Sequence, residues 1–214
     1  MLESLLLIKL INLTKICSSH ISSAKSFNRL KVIRVKSCDK MEVLFPLSLL
    51  RGLTQLEEIE VVSCKLLRGI VDADDCGKVE LQNLRVMKLH HLPNIKNFFT
   101  ARTAPSSSTS EDQVGTQIAF FNGQQVSIPS LESLKMEGLP NIKEIWSNES
   151  PLELSNLRYL EVVQCKSLLK VISSKSLVDL HKLHSICIRD CNSVQEIFDL
   201  DGQAPMEMLR LRMS

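Results

Sequence analysis

Between Leu157 and Ile172 the chain reads LRYLEVVQCKSLLKVI, with apolar side chains at Leu157, Leu160, Val162 and Cys165, then at the wider spacing Leu168, Val171 and Ile172. The step of two from Leu160 to Val162 is that of one face of a strand, and the later cluster has the spacing of a tight helical or irregular turn. A unit this small cannot bury its apolar side alone, so it predicts copies of itself on both flanks. Those copies exist. Aligned on the first leucine they read Leu2-x-x-Leu5-x-Leu7-x-x-Leu10, Leu30-x-x-Ile33-x-Val35-x-x-Cys38, Leu56-x-x-Ile59-x-Val61-x-x-Cys64 and Leu84-x-x-Met87-x-Leu89-x-x-Leu92. They continue as Leu131-x-x-Leu134-x-Met136-x-x-Leu139, the Leu157 unit, and Leu183-x-x-Ile186-x-Ile188-x-x-Cys191, and Met206-x-x-Leu209-x-Leu211 begins an eighth.

Successive first leucines are 28, 26, 28, 47, 26 and 26 residues apart. All but the 47-residue step fall in the window of about 20–29 residues of leucine-rich repeats. The second half of each unit agrees, with Leu13/Ile16/Cys17, Met41/Leu44/Phe45, Leu67/Ile70/Val71, Ile95/Phe98/Phe99, Ile142/Ile145/Trp146, Leu168/Val171/Ile172 and Val194/Ile197/Phe198. The predicted fold is an α/β leucine-rich-repeat solenoid, a horseshoe of about seven to eight repeats. Short parallel strands line its concave side, and irregular or short helical turns its convex side. The whole of residues 1–214 reads as one domain.

The long step holds an insertion at 103–127, TAPSSSTSEDQVGTQIAFFNGQQVS, which opens as a Pro/Ser/Thr-rich run and predicts a flexible loop, with 118–121 packing back. Ser106 to Ser110 offer phosphorylation acceptors, as serine-rich loops commonly do. The repeat resumes after it, so the insertion does not divide the domain. Cys38, Cys64, Cys165 and Cys191 share the position held by Leu10, Leu92 and Leu139 in other copies, which marks them as buried core residues. Pro93 and Pro140 follow two of those leucines, where a proline ends a strand without removing a ladder bond.

Composition narrows the function classes. With 44% hydrophobic and 23% charged residues the chain is an ordered globular protein, and a net charge of +2 gives no support for nucleic acid or an anionic membrane as partner. No apolar run is long enough to span a membrane, and Glu3 and Lys9 are at odds with a secretory leader. Seven cysteines, an odd number, mostly inside apolar patterns, fit a reducing compartment. Candidate chemistry is thin. The acidic run Asp72-Ala-Asp74-Asp75-Cys76-Gly77 lacks the bidentate Glu of a calcium loop, with Asn83 in its place. His181, His184, Cys187 and Cys191 have zinc-ligand chemistry, but the strand register sends Cys187 outward and Cys191 to the buried corner. Asn12 and Asn148 sit in glycosylation-type triplets that chance explains. No phosphate loop, nucleophile elbow or zinc-protease motif is present, so no catalytic residue, metal site or cofactor is assigned and a non-enzyme is expected.

What remains is the surface that the period creates. Outward positions on the concave strands stack in columns about 4.8 Å apart. One column reads Leu6, Arg34, Glu60, Lys88, Lys135, Glu161, Cys187, Arg210, and the next Ile8, Lys36, Val62, His90, Glu137, Val163, Arg189, Arg212. The candidate partner-binding residues are Arg34, Lys36, Glu60, Lys88, His90, Lys135, Glu137, Glu161 and Arg189, with Tyr159 beside them as an aromatic anchor.

LEEIEVVSCKLLRGIV, LRYLEVVQCKSLLKVI, LHSICIRDCNSVQEIF and the two LPNIK segments at 92–96 and 139–143 resemble the leucine-rich region of plant nucleotide-binding leucine-rich-repeat disease-resistance proteins, the coiled-coil class in particular. The likeness covers the chain outside 103–127. It implies a cytoplasmic immune receptor whose repeats sense a pathogen effector or a guarded host protein and restrain the receptor's own nucleotide-binding domain. The chain carries no such switch domain and reads as a fragment of the longer protein. Cysteine-bearing repeats also resemble those of F-box ubiquitin-ligase substrate adaptors, which stands as the alternative. Extracellular receptor repeats, with an asparagine ladder and G-x-I-P, are a poorer match.

Overall fold

The computed structural model describes residues 2–17, 27–72, 77–100, 119–147, 150, 152–172, 176 and 179–198. The expected eighth unit at Met206 to Leu211 lies outside these residues, as do Arg210 and Arg212. So do the insertion up to residue 118, including Ser106 to Ser110, and Asp74, Asp75, Cys76 and Asn148.

In chain order the elements begin with β1 (Ser4–Ile8), β2 (Val32–Lys36), β3 (Val43–Pro46), the short helix α1 (Leu47–Leu50), β4 (Glu58–Val62), β5 (Gly69–Asp72) and β6 (Val79–Glu80). They continue with β7 (Val86–His90), β8 (Phe99–Thr100), β9 (Ala119–Phe121), β10 (Val126–Ser127) and β11 (Ser133–Glu137). The chain closes with β12 (Glu144–Trp146), β13 (Tyr159–Val163), β14 (Lys170–Ile172), β15 (Ser185–Arg189) and β16 (Glu196–Phe198).

One parallel sheet, in the order β1-β2-β4-β7-β11-β13-β15, makes the concave face. Its register is the one the repeat alignment predicts. Leu5, Ile33, Ile59, Met87, Leu134, Leu160 and Ile186 stand side by side, as do Leu7, Val35, Val61, Leu89, Met136, Val162 and Ile188. From β2 to β13 these inward residues are fully buried, each contributing roughly 1.5–3 kcal/mol of burial. At the two outermost strands the same positions are only half-buried.

Every concave strand ends in the same way. The next residue has a left-handed backbone: Lys9, Ser37, Ser63, His91, Gln164 and Asp190 have φ between 52° and 55°, and Gly138 has φ 64°. After β2, β4, β7, β11 and β13 the residue beyond it is buried, and its carbonyl accepts from the N–H three residues on in turns such as Cys38 to Met41 and Cys165 to Leu168. Cys38, Cys64 and Cys165 are buried as expected. Burial pushes the Cys64 thiol up to about 11 and the Cys165 thiol up to about 12. Cys191, expected to match them, is only partly buried, because no described repeat covers its far side.

The convex side differs from the expectation of irregular or short helical turns. Apart from α1 it carries short strands, in two parallel sheets, β3-β5-β8 and β9-β12-β14-β16. Paired apolar residues such as Val171 and Ile172 or Ile70 and Val71 favour extended backbone. Residues 119–127, read from sequence as part of the insertion, return to the solenoid. Ala119–Phe121 pairs with β12, and Val126–Ser127 pairs with β6. Phe98, Phe99, Phe120, Phe121 and Trp146 form one buried aromatic cluster there, with Phe121 and Trp146 stacked at 5.3 Å and 14°.

Asparagines also tie neighbouring turns together, at positions other than the corner held by cysteine or leucine. The Asn94 Nδ2 donates to the Lys65 carbonyl at 2.7 Å, and those of Asn141 and Asn156 donate to the carbonyls of Pro93 and Pro129.

Candidate recognition face

A strand with alternate residues committed to the core presents the others to solvent, and seven in-register strands present three such columns. Besides the two predicted columns there is a third, Ser4, Val32, Glu58, Val86, Ser133, Tyr159 and Ser185. Glu58 belongs to the site and was missed by sequence reasoning, although it shares the parity of Glu60 and Val62. That parity was the available signal.

The charged side chains gather into two groups. In the first, the Arg34 guanidinium contacts Glu58 at 3.1 Å and Glu60 at 3.2 Å, Lys36 Nζ contacts Glu60 at 2.9 Å, and Lys88 Nζ contacts Glu58 at 3.2 Å. Burial alone would raise the Glu58 carboxyl, but hydrogen bonds from Arg34 and Lys88 outweigh it and hold the group below the usual range. In the second group, Glu161 is shared by Lys135 at 2.7 Å and Arg189 at 3.2 Å. The hydrogen bond from Lys135 is the main cause of its lowered carboxyl pKa, with burial opposing.

The two groups part at the β7–β11 seam. Lys88 and Lys135 are direct neighbours there, and each turns away from the other to its own carboxylate. Glu137 bridges the same seam, 3.0 Å from His90 Nδ1 and 3.6 Å from His91 Nε2. At the leading edge Arg85 pairs with Glu132 at 2.8 Å. Exposed pairs of this kind each contribute about 0–1 kcal/mol, so their main effect is to fix the pattern of charge that the face offers.

Nine of the ten predicted partner residues therefore contact one another or Glu58. Tyr159 is the exception. It is 51% exposed as a residue, its ring pairs with that of His184 at 6.2 Å, and its in-register neighbours are Ser133 and Ser185. The zinc-type residues do not converge: Cys187 stands in the outward column beside Glu161, and Cys191 lies at the corner, its Sγ accepting from the Cys165 N–H. No set of three ligands that could hold a metal occurs among the described residues, and none of their helices is long and apolar enough to cross a membrane.

Compared with known proteins, the chain matches the family described as plant disease resistance protein RPS2-like, leucine-rich repeats, over residues 1–65, 108–174 and 130–212. A probable disease resistance protein of Arabidopsis thaliana is 34% identical over 85 residues, a stretch that covers 37% of this chain and 9% of that relative. No solved structure matches.

Proposed function

Because the chain belongs to the family of RPS2-like leucine-rich repeats of plant disease resistance proteins, we propose that it is the protein-recognition region of an intracellular plant immune receptor. It senses a pathogen effector or a guarded host protein, and restrains the nucleotide-binding domain of its own receptor. The observation that supports this reading is the unbroken concave sheet. Seven strands in one register would carry a face roughly 29 Å long at about 4.8 Å per step, the scale of a protein interface. The residues proposed to meet the partner are those of the outward columns. The role is binding rather than catalysis, in the cytoplasm, and family membership favours it over a ubiquitin-ligase adaptor.

The test is a binding screen against pathogen effectors and host proteins, repeated with the triple variant Arg34→Gln, Lys88→Gln, Lys135→Gln. Neutral replacements are chosen because reversing these charges would set glutamates against Glu58, Glu60 and Glu161. Binding to a captured partner is expected to weaken by roughly tenfold or more with little change in melting temperature. A partner whose affinity ignores all three substitutions would contradict recognition through the concave columns.

A further inference from the structure

We propose that the hollow beside Tyr159 docks an aromatic side chain of a protein partner, and that carboxylates flank this side chain on the partner. The inference rests on the concave face being the recognition surface and names the chemistry of what it recognises.

The hollow follows from register. Ser133, Tyr159 and Ser185 are adjacent in one column, and serines are too short to cover the faces of a tyrosine ring between them. An open cavity of about 360 Å³ results, lined by Ser133, Lys135, Tyr159, Glu161, Ser185 and Cys187. That is the low end of the roughly 300–1,000 Å³ of ligand pockets and holds one large side chain. Among the described residues, Tyr159 is the only large hydrophobic side chain exposed on this face beyond the first repeat, where Leu6 and Ile8 are exposed. The other half of the face offers no counterpart, because Val32, Val62 and Val86 occupy the open positions there and five charges interlock across it.

Charge decides the class of guest. A cation over the tyrosine ring is the usual alternative, but here the charged groups lining the hollow are Lys135 and Glu161, Arg189 reaches the same Glu161 from the next strand, and Arg158 adjoins Tyr159 in the chain, so three cations stand against one carboxylate. Glu161 is already shared by two of the three cations. Glu132, the next acidic group, is held by Arg85, and exposed Arg158 has no ion pair among the described residues. An arriving cation is therefore repelled. A ring with carboxylates beside it is steered in, and Arg158 can receive a carboxylate in the forked geometry that guanidinium favours. His184, tilted 33° to Tyr159 with centroids 6.2 Å apart, stands beside that ring outside the lining of the hollow.

The test uses three short fluorescent peptides: one with a central Phe between two Asp-Glu pairs, one with that Phe replaced by Ala, and one with the acidic residues replaced by Lys. The first is expected to bind and to shift the amide resonances of Ser133, Tyr159 and Ser185, with each control roughly tenfold weaker or worse. Tyr159→Ala, which removes the ring, and Ser185→Phe, which fills the hollow, should each weaken it by a similar factor. Leu66→Ala, on an exposed turn outside the outward columns, should leave it unchanged. Equal binding of the three peptides, affinity untouched by both hollow variants, or no binding of the first peptide up to about 1 mM would each overturn the proposal. The two levels of the reading separate with a captured partner. A partner weakened by the triple glutamine variant but not by Tyr159→Ala removes the Tyr159 docking and leaves concave recognition standing. A partner indifferent to both removes both.

Discussion

The two faces of the solenoid respond differently to the same long repeat. On the concave face β7 pairs with β11 in the register of every other neighbouring pair, although their first leucines are 47 residues apart instead of 26 or 28. On the convex face the ladder is cut in two at that point. β8 closes one sheet, and β9, an additional strand with no concave counterpart, opens the next. The backbone bridge between them is the Phe98 N–H donating to the Phe120 carbonyl at 2.9 Å. The spacing of three leucine-type positions thus fixes the inner ladder, while the outer layer absorbs extra chain by packing aromatic volume into the gap.

That contrast is broken most severely at Phe120. Its side chain is fully buried and meets Phe121 edge-on at 4.7 Å and Phe98 edge-on at 6.2 Å. Phe120→Ala should cost about 3–5 kcal/mol in urea unfolding, because the cluster around it is made of rings that cannot collapse into the space. Hydrogen exchange should then quicken at β9 and β12 while β7 and β11 keep their protection. Equal loss on both faces would show that the concave ladder depends on the convex packing after all.

A smaller effect tests the corners that join the two faces. The thiols of Cys38 and Cys165 lie 3.9 and 3.8 Å from carbonyls of the preceding repeat. Raised thiol pKa values mean that the folded state holds its protons longer than the unfolded chain, whose cysteines titrate near about 8.5. The corresponding stability is intact below that value and is lost as pH rises through about 11 at Cys64 and about 12 at Cys165. Wild type should lose stability above about pH 8.5 more steeply than a Cys64→Ala, Cys165→Ala variant, since lysines titrate alike in both. Parallel alkaline curves would mean that the thiols ionise freely in the folded corner.

Sequence periodicity reached the inner face almost completely, since apolar alternation dictates which residues are buried and a parallel ladder leaves one register that keeps them so. It failed where other constraints decide. A third apolar position, three residues before each first leucine, appears as Leu53, Leu81, Ile128, Leu154 and Leu180, and its carbonyl closes a turn in every case. They recur at the intervals of the repeat itself, 28, 47, 26 and 26 residues, so the signal was present one turn ahead of each strand. Phe120 and Phe121 pack back onto the solenoid as their apolar run suggests, but their pairing as an added strand was hidden because the polar residues around them read as loop. At the candidate site the columns were legible, but the ion pairing was not. Whether Lys88 turns to Glu58 or to Glu161 depends on side-chain reach across strands, which a linear pattern does not encode.

The finest test lies in the left-handed residue that ends each concave strand. Only one of the seven is glycine, and it is Gly138, where a Cβ would come within 2.6 Å of His91 Nδ1. His91 occupies the same turn in the preceding repeat, so Gly138 is required by its neighbour as well as by its φ. Elsewhere the turn tolerates serine, glutamine or aspartate at the conformational penalty of roughly 1–2 kcal/mol that an L-residue incurs there. Gly138→Ala should therefore destabilise by more than this penalty alone. Ser63→Gly or Gln164→Gly should stabilise by about 0.5–1 kcal/mol, the relief offset in part by the greater freedom of glycine in the unfolded chain. If Ser63→Gly were neutral, the greater freedom of glycine in the unfolded chain would cancel the relief, since the backbone bond from residue 63 to the His90 carbonyl at 2.9 Å is made by either residue. In either case that bond carries the inner ladder one residue beyond the strand, in contrast with the interrupted outer layer.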